Sequence, residues 1–188
     1  MPHFAEIKGT TIKTRLEFIE ERFGPNGRDE ATESVRREFG AEAIEVLLPM
    51  SWYPLALDDF LCRFAVRKYQ RPEEQVYRDL GVYSAQKHFK YFQSLMAGRK
   101  DPMSFLELMP RFHNTYDRGL GEMDIDKPSE KEGVLRIKAP TEPYRSHCAT
   151  TVAYLVETCL RVTGTSIRGD ETACKARGDA DCRWRFRW

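Results

Sequence analysis

No run of this sequence approaches the ~18 consecutive apolar residues that a membrane-crossing helix needs. Its opening, MPHFAEIKGTTIKTRLEF, lacks the apolar core of a secretory signal. Charge of one sign is not in excess either, with 30 Lys and Arg against 29 Asp and Glu and a formal net charge of +1. That balance removes the broad basic footprint of a nucleic-acid or membrane-surface binder. A Gly-rich phosphate loop, a nucleophile elbow, a His-Glu-x-x-His pair and a nicotinamide or flavin fingerprint are all missing. The expectation is therefore a protein that is not an enzyme. Five cysteines are too odd a number for a closed disulfide set. These absences together predict a cytoplasmic chain whose thiols are reduced or bound to metal, with no nucleic-acid and no membrane partner.

What is present is enough apolar residue, 41% of 188, to build one core. The first two-thirds carries helical spacing. Ile12, Leu16, Ile19 and Phe23 form one stripe, stopped by Gly24-Pro25-Asn26-Gly27. A charged helix follows from Arg28 to Phe39. Pro54 opens a helix with Leu57, Phe60, Leu61 and Phe64 inward, and Pro72-Glu73-Glu74 opens another that runs past His88 to Ala97. Asp101-Pro102 caps a further helix reaching about Tyr116. After Arg118 the pattern changes to strands around Met123–Ile125 and Val134–Ile137, ended by Pro140 and Pro143. A helix over Ser146–Val162 and a strand pair, Thr165–Glu171 and Cys182–Arg187, close the chain. The spacing predicts an α+β fold: a helical half, 1–118, packed on a small antiparallel sheet crossed by one long helix within 119–188, all one domain.

The last strand alternates strictly. Cys182, Trp184, Phe186 and Trp188 share one face, and Arg183, Arg185 and Arg187 the other. Aromatics and arginines thus point oppositely, which fits a buried face and a wet face better than base stacking. Before it, Cys174 and Cys182 flank Gly178-Asp179, a turn that brings two thiols opposite each other. Glu171 joins them only if the strand is irregular between 171 and 174. Cys148, with His147 beside it, heads the long helix. On spacing alone, two readings stand: a metal clamp, or buried core cysteines. Cys62 and Cys159 fall on apolar helix faces and read as core.

Cys148, then Glu171-Thr172-Ala173-Cys174, then Gly178-Asp179 and Cys182 to Phe186 together resemble the 4-vinyl reductase domain. The resemblance covers roughly 134–188. That family includes sensor domains of aromatic-responsive activators. Its distant relatives include vesicle-tethering subunits and haem nitric-oxide-binding domains. The likeness implies a structural zinc ion held by Cys148, Glu171, Cys174 and Cys182, with no open position for chemistry. Such a site has a formal charge of −2, which Lys175, Arg177 and Arg183 could offset. The whole chain also resembles a family of small proteins expanded in myxobacteria, through Ile7-Lys8-Gly9-Thr10, Ser51-Trp52-Tyr53-Pro54 and Ala173 to Asp179. That second likeness implies a shared domain plan and no function.

The haem-binding relatives make His113 a candidate iron ligand. Their propionate motif, Tyr-x-Ser-x-Arg, meets Tyr144-Arg145-Ser146-His147-Cys148 here, with cysteine in place of the arginine. The aromatic helices suggest an organic-ligand pocket, with Trp52, His88, Phe92, His113 and Tyr116 as candidate contacts. The preferred expectation is a sensory or regulatory module that binds a small apolar or aromatic ligand and signals through a homodimer or a protein partner. The alternatives are a zinc-stabilised interaction adaptor without a ligand and a haem-based gas sensor.

Overall fold

A computed structural model describes residues 5–97, 100–141 and 144–188. Pro143, expected to help end the first hairpin, lies outside them. A short strand β1 (Glu6–Lys8) leads directly into α1 (Gly9–Phe39). α1 is two helices joined at Gly24, whose φ of 75° and ψ of −179° break the helix for one residue before Pro25 restarts it. Ile12, Leu16 and Ile19 are buried as their spacing requires, and Phe18 is buried beside them.

After a 3-10 turn (Ala41–Ile44) and β2 (Trp52–Pro54), α2 (Leu55–Tyr69) begins just past Pro54. α3 (Glu73–Leu95) starts behind Pro72, with Glu73 and Glu74 in its first turn, where the helix dipole favours acids. The single helix expected over 102–116 is two. α4 (Pro102–Leu106) is capped by the Asp101 carboxylate, which accepts the Ser104 N–H at 2.8 Å. α5 (Met109–Tyr116) starts afresh with Pro110 in its first turn. A proline there cannot donate to the preceding turn, so the chain re-aims at Glu107-Leu108.

Two antiparallel sheets follow. β1 sits between β2 and β3 (Asp117–Arg118) in the order β2-β1-β3. The second sheet has the order β4-β5-β7-β6, built from β4 (Glu122–Ser129), β5 (Glu132–Lys138), β6 (Arg168–Ala173) and β7 (Cys182–Arg187). Cys182, Trp184 and Phe186 are buried with Leu135 and Ile137 on one face, while the arginines of β7 lie on the other.

α6 (Arg145–Thr163) crosses the buried face. There the Trp184 indole N–H donates to the Cys148 carbonyl at 3.1 Å. α3 packs on the far side of α6, and Gly81 allows it. A β-carbon at 81 would stand 2.4 Å from the Thr150 carbonyl oxygen and 2.8 Å from the Ala153 β-carbon. The fold is therefore α+β, with helices α1 to α3 and α5 stacked outside a sheet-and-α6 layer. Among the described residues no helix is long and apolar enough to cross a membrane.

Candidate functional site

Two sites meet at the head of α6. One side of its first turns carries Cys148 toward the sheet. The other carries His147, Thr150, Thr151 and Tyr154 toward the helical half.

On the sheet side, the sulfurs of Cys148, Cys174 and Cys182 lie within 4.8 Å of one another, and Cys148 and Cys182 are 3.3 Å apart. All three are buried. The expected irregularity exists, since the β6–β7 register shifts between Glu171 and Ala173. It turns Cys174 inward, and the loop after it is braced on itself. The Cys174 N–H donates to the Asp179 carboxylate at 2.7 Å, and the Arg177 N–H donates to the Cys174 carbonyl at 2.8 Å. Gly178 takes the φ of 100° that closes the turn. A zinc ion with Zn–S bonds of about 2.3 Å in a tetrahedron needs sulfurs about 3.8 Å apart, inside the 4.8 Å within which these three lie. The Cys148 thiol hydrogen-bonds both neighbours, which holds Cys174 down to about 7 and lowers Cys182, while Cys148 itself is pushed up. Two of the three sulfurs thus favour the thiolate a soft cation requires.

Glu171 does not join the thiols, which corrects the four-ligand expectation. Its buried carboxylate is drawn instead to Arg145 at 2.6 Å and Arg177 at 2.9 Å. The two guanidiniums hold the carboxylate by charge-assisted contacts. Arg183, expected to offset the site's charge, pairs with Asp181. Cys62 and Cys159 are both wholly buried, away from the cluster.

On the helical side, α1, α3, α5 and α6 enclose a cavity of about 350 Å³. One wall is aromatic. Phe92 and Phe112 lie 4.3 Å apart, Phe112 stacks on Tyr116 at 6.0 Å, and Tyr154 stands 6.2 Å from Phe92. Met109, Met123 and Leu155 complete the apolar lining. Another wall is polar, formed by Thr10, Thr11, Arg15, Ser84, His88 and His147. Arg15 is a buried cation fixed by two bonds. Its Nε–H donates to Asp58 at 2.9 Å and an Nη1–H to the Ser84 hydroxyl at 2.7 Å.

The histidines differ in state. His88 is paired with the Thr14 hydroxyl at 3.0 Å, and burial, with Arg15 nearby, pulls it down to about 4. Burial also lowers His147, against the opposing pull of Asp117 and Asp58. His113 behaves oppositely. Burial opposes its charge, yet Asp117, 3.3 Å from Nδ1, and the Gly121 carbonyl, 2.8 Å from Nε2, raise it.

Four of the five residues expected to touch a ligand, namely His88, Phe92, His113 and Tyr116, line this cavity. Trp52 does not, and that expectation is corrected. Its ring lies in the small sheet beneath Lys8, whose Nζ is 3.6 Å from the ring centre, with Arg118 at 4.8 Å. Sequence reasoning missed Arg15, Ser84 and His147. The only signal for Arg15 was a cation one residue from Leu16 in an apolar stripe, and a lone charge there reads as an edge residue.

The fold is that of H-NOX structures. A mutant H-NOX protein from K. algicida, in the Fe(II) unliganded state, superposes with a TM-score of 0.73 at 14% identity, covering 96% of each chain. An H-NOX protein from S. oneidensis in the Fe(II)NO state gives 0.70 at 12% identity, covering 96% of this chain and 98% of that one. An oxygen-binding H-NOX domain related to soluble guanylate cyclases gives 0.69 at 16% identity, covering 96% and 94%. Identity this low speaks for the fold alone. No protein-family model matches the chain, and a search of curated proteins found no relative. The expected kinship with haem nitric-oxide-binding domains is met at the level of fold, while the 4-vinyl reductase likeness rests on its motif.

Haem itself fits the residues poorly. His113 Nε2 is spent on the Gly121 carbonyl oxygen, and its Nδ1, buried without a hydrogen bond, lies 3.3 Å from Asp117. Within the propionate motif, the Ser146 hydroxyl donates to Asp59 at 2.6 Å, and Cys148 belongs to the thiol cluster.

Proposed function

We propose that this chain is a non-enzymatic sensory module that holds a small, largely apolar or aromatic molecule in the cavity between α1, α3, α5 and α6. The observation that carries the reading is the cavity itself. At about 350 Å³, with aromatic and polar side chains in its lining, it has the size and lining of a small-molecule site. The likeness to H-NOX structures supports a ligand-binding role for the fold.

The thiol cluster is assigned a structural zinc ion, bound by Cys148, Cys174 and Cys182. It would tie the β6–β7 turn to the head of α6, the same helix that lines the cavity. Output passes through a homodimer or a protein partner.

Thermal denaturation with a panel of small aromatic compounds tests the reading. Wild type is stabilised by at least one class, and Thr151→Trp, which fills the cavity from α6, loses that response. If Thr151→Trp responds as wild type does, the cavity is not the site.

The likeness to iron-bearing structures favours a second reading, haem in the same cavity. A Soret band in the purified protein that His113→Ala abolishes would establish it against the residue fit above. Exposed Val46, Leu48 and Met50, at 67%, 53% and 64% of their surface, favour a partner surface and hence the adaptor alternative. An adaptor gives no thermal response to any compound in the panel.

A further inference from the structure

The polar wall of the cavity is not a random scatter of side chains. Thr11 and Arg15 are one turn apart on α1 and share a face. His147 lines the same cavity from α6, where burial lowers it and Asp117 and Asp58 act the other way more strongly than Arg15 acts with it. Arg15 is 5% exposed and Asp58 is 1% exposed, so the guanidinium is held rigidly in a dry wall.

A guanidinium has five N–H donors. Asp58 takes one, Ser84 a second, and Cys62 is the remaining neighbour in contact, so at least two are unspent. Thr11 and His147 line the cavity with it. The one carboxylate among the lining residues is Asp117, whose Oδ2 lies 3.3 Å from His113 Nδ1 and whose Oδ1 is buried without a hydrogen-bond partner.

The same cavity is lined by Phe92, Phe112 and Tyr116, whose rings pack on one another. A neutral phenol would use one donor and leave Arg15 with its spare N–H groups desolvated. A planar carboxylate can take two parallel N–H bonds from a fixed guanidinium, the arrangement in which such hydrogen bonds are strongest.

We infer that the cavity selects small aromatic carboxylic acids, in their anionic form, with the carboxylate on Arg15, Thr11 and His147 and the ring against Phe92, Phe112 and Tyr116. This rests on the reading of the cavity as a ligand site and names the ligand class. Asp58 is a positioning residue: it aims the guanidinium and does not touch the ligand.

The test is isothermal titration at pH 7 with 2-naphthoate, its neutral isostere 2-naphthamide, and 2-naphthol. Wild type should bind naphthoate on the order of tenfold or more tighter than either neutral compound, the worth of a charged hydrogen bond. Deleting Arg15 alone would leave Asp58 buried and unpaired, so the variant is the double Arg15→Met/Asp58→Leu. Replacing both members of a buried pair by apolar residues of similar volume keeps such folds intact. In that variant the acid should lose its preference over the amide.

Equal or tighter binding of the amide or the naphthol by wild type overturns the acid assignment and leaves the cavity reading standing. Retention of acid preference in the double variant overturns the role of Arg15. If none of the three compounds binds, both this inference and the ligand-site reading fail.

Discussion

Gly81 offers a sharp test of how α3 is seated. A methyl group at this position would stand 2.4 Å from the Thr150 carbonyl oxygen, 2.8 Å from the Ala153 β-carbon and 2.9 Å from the Tyr154 backbone nitrogen. Two of those three neighbours are backbone of α6, which cannot rotate away as a side chain would. Gly81→Ala must therefore push α3 off α6 by a fraction of an ångström. Overpacking of this kind costs typically 1–3 kcal/mol, and a rigid neighbour puts it near about 3. Against that stands the helix preference for alanine over glycine, about 1 kcal/mol. The net is a loss of about 2 kcal/mol. For a domain of this size each kcal/mol moves Tm by about 2–4 °C, so the variant should melt about 4–8 °C below wild type. Calorimetry reads it directly. Gln86→Ala, at an exposed position on the same helix, should stay within about 0.5 kcal/mol and controls for helix propensity. A Gly81→Ala protein that melts at or above the wild-type temperature would show that the two helices are not in backbone contact there.

The buried Arg15–Asp58 pair predicts a loss of about 3–5 kcal/mol in urea denaturation for Asp58→Ala, because it strands a desolvated guanidinium. A change below 1 kcal/mol would mean that the pair is hydrated. His88, held at about 4 against an ordinary 6.5, contributes stability that is present above pH 6.5 and is lost as pH falls toward 4, up to about 3 kcal/mol. His88→Gln should flatten that acid limb, and an unaltered limb refutes the assignment. His113, raised by Asp117 and the Gly121 carbonyl, has the opposite sign: its contribution is full below pH 6.5 and disappears as pH rises through its folded value. His113→Asn should remove that alkaline decline from the stability profile. For the thiols, elemental analysis of wild type should find about one zinc per chain, absent from Cys174→Ser, with the variant less stable. Metal-free, well-folded wild type would make the three cysteines plain core.

Much of the helical architecture was legible because it rests on local signals. The stripe Ile12, Leu16, Ile19, the Pro72-Glu73-Glu74 start, the Asp101 cap and the alternation through Cys182–Phe186 each need only their neighbours in sequence. The sheet β2-β1-β3 was not legible. Its strands are two or three residues long and over 40 positions apart, too short to show a period. The break between α4 and α5 was missed because Pro110 reads equally well as an interior kink.

The candidate sites divide the same way. By itself the sequence determined the starts of α2, α3 and α4, the buried face of the last strand and the turn that sets Cys174 across from Cys182. Each of these is fixed by dihedral preference and burial within a few residues. Only the tertiary structure decided where Glu171 went, because the guanidinium of Arg145 reaches it from α6. It likewise decided that Arg15 faces a cavity and that Trp52 does not. Whether a charged side chain on a helix meets water, a partner or a ligand depends on what packs across from it, and α3 and α6 come from far along the chain.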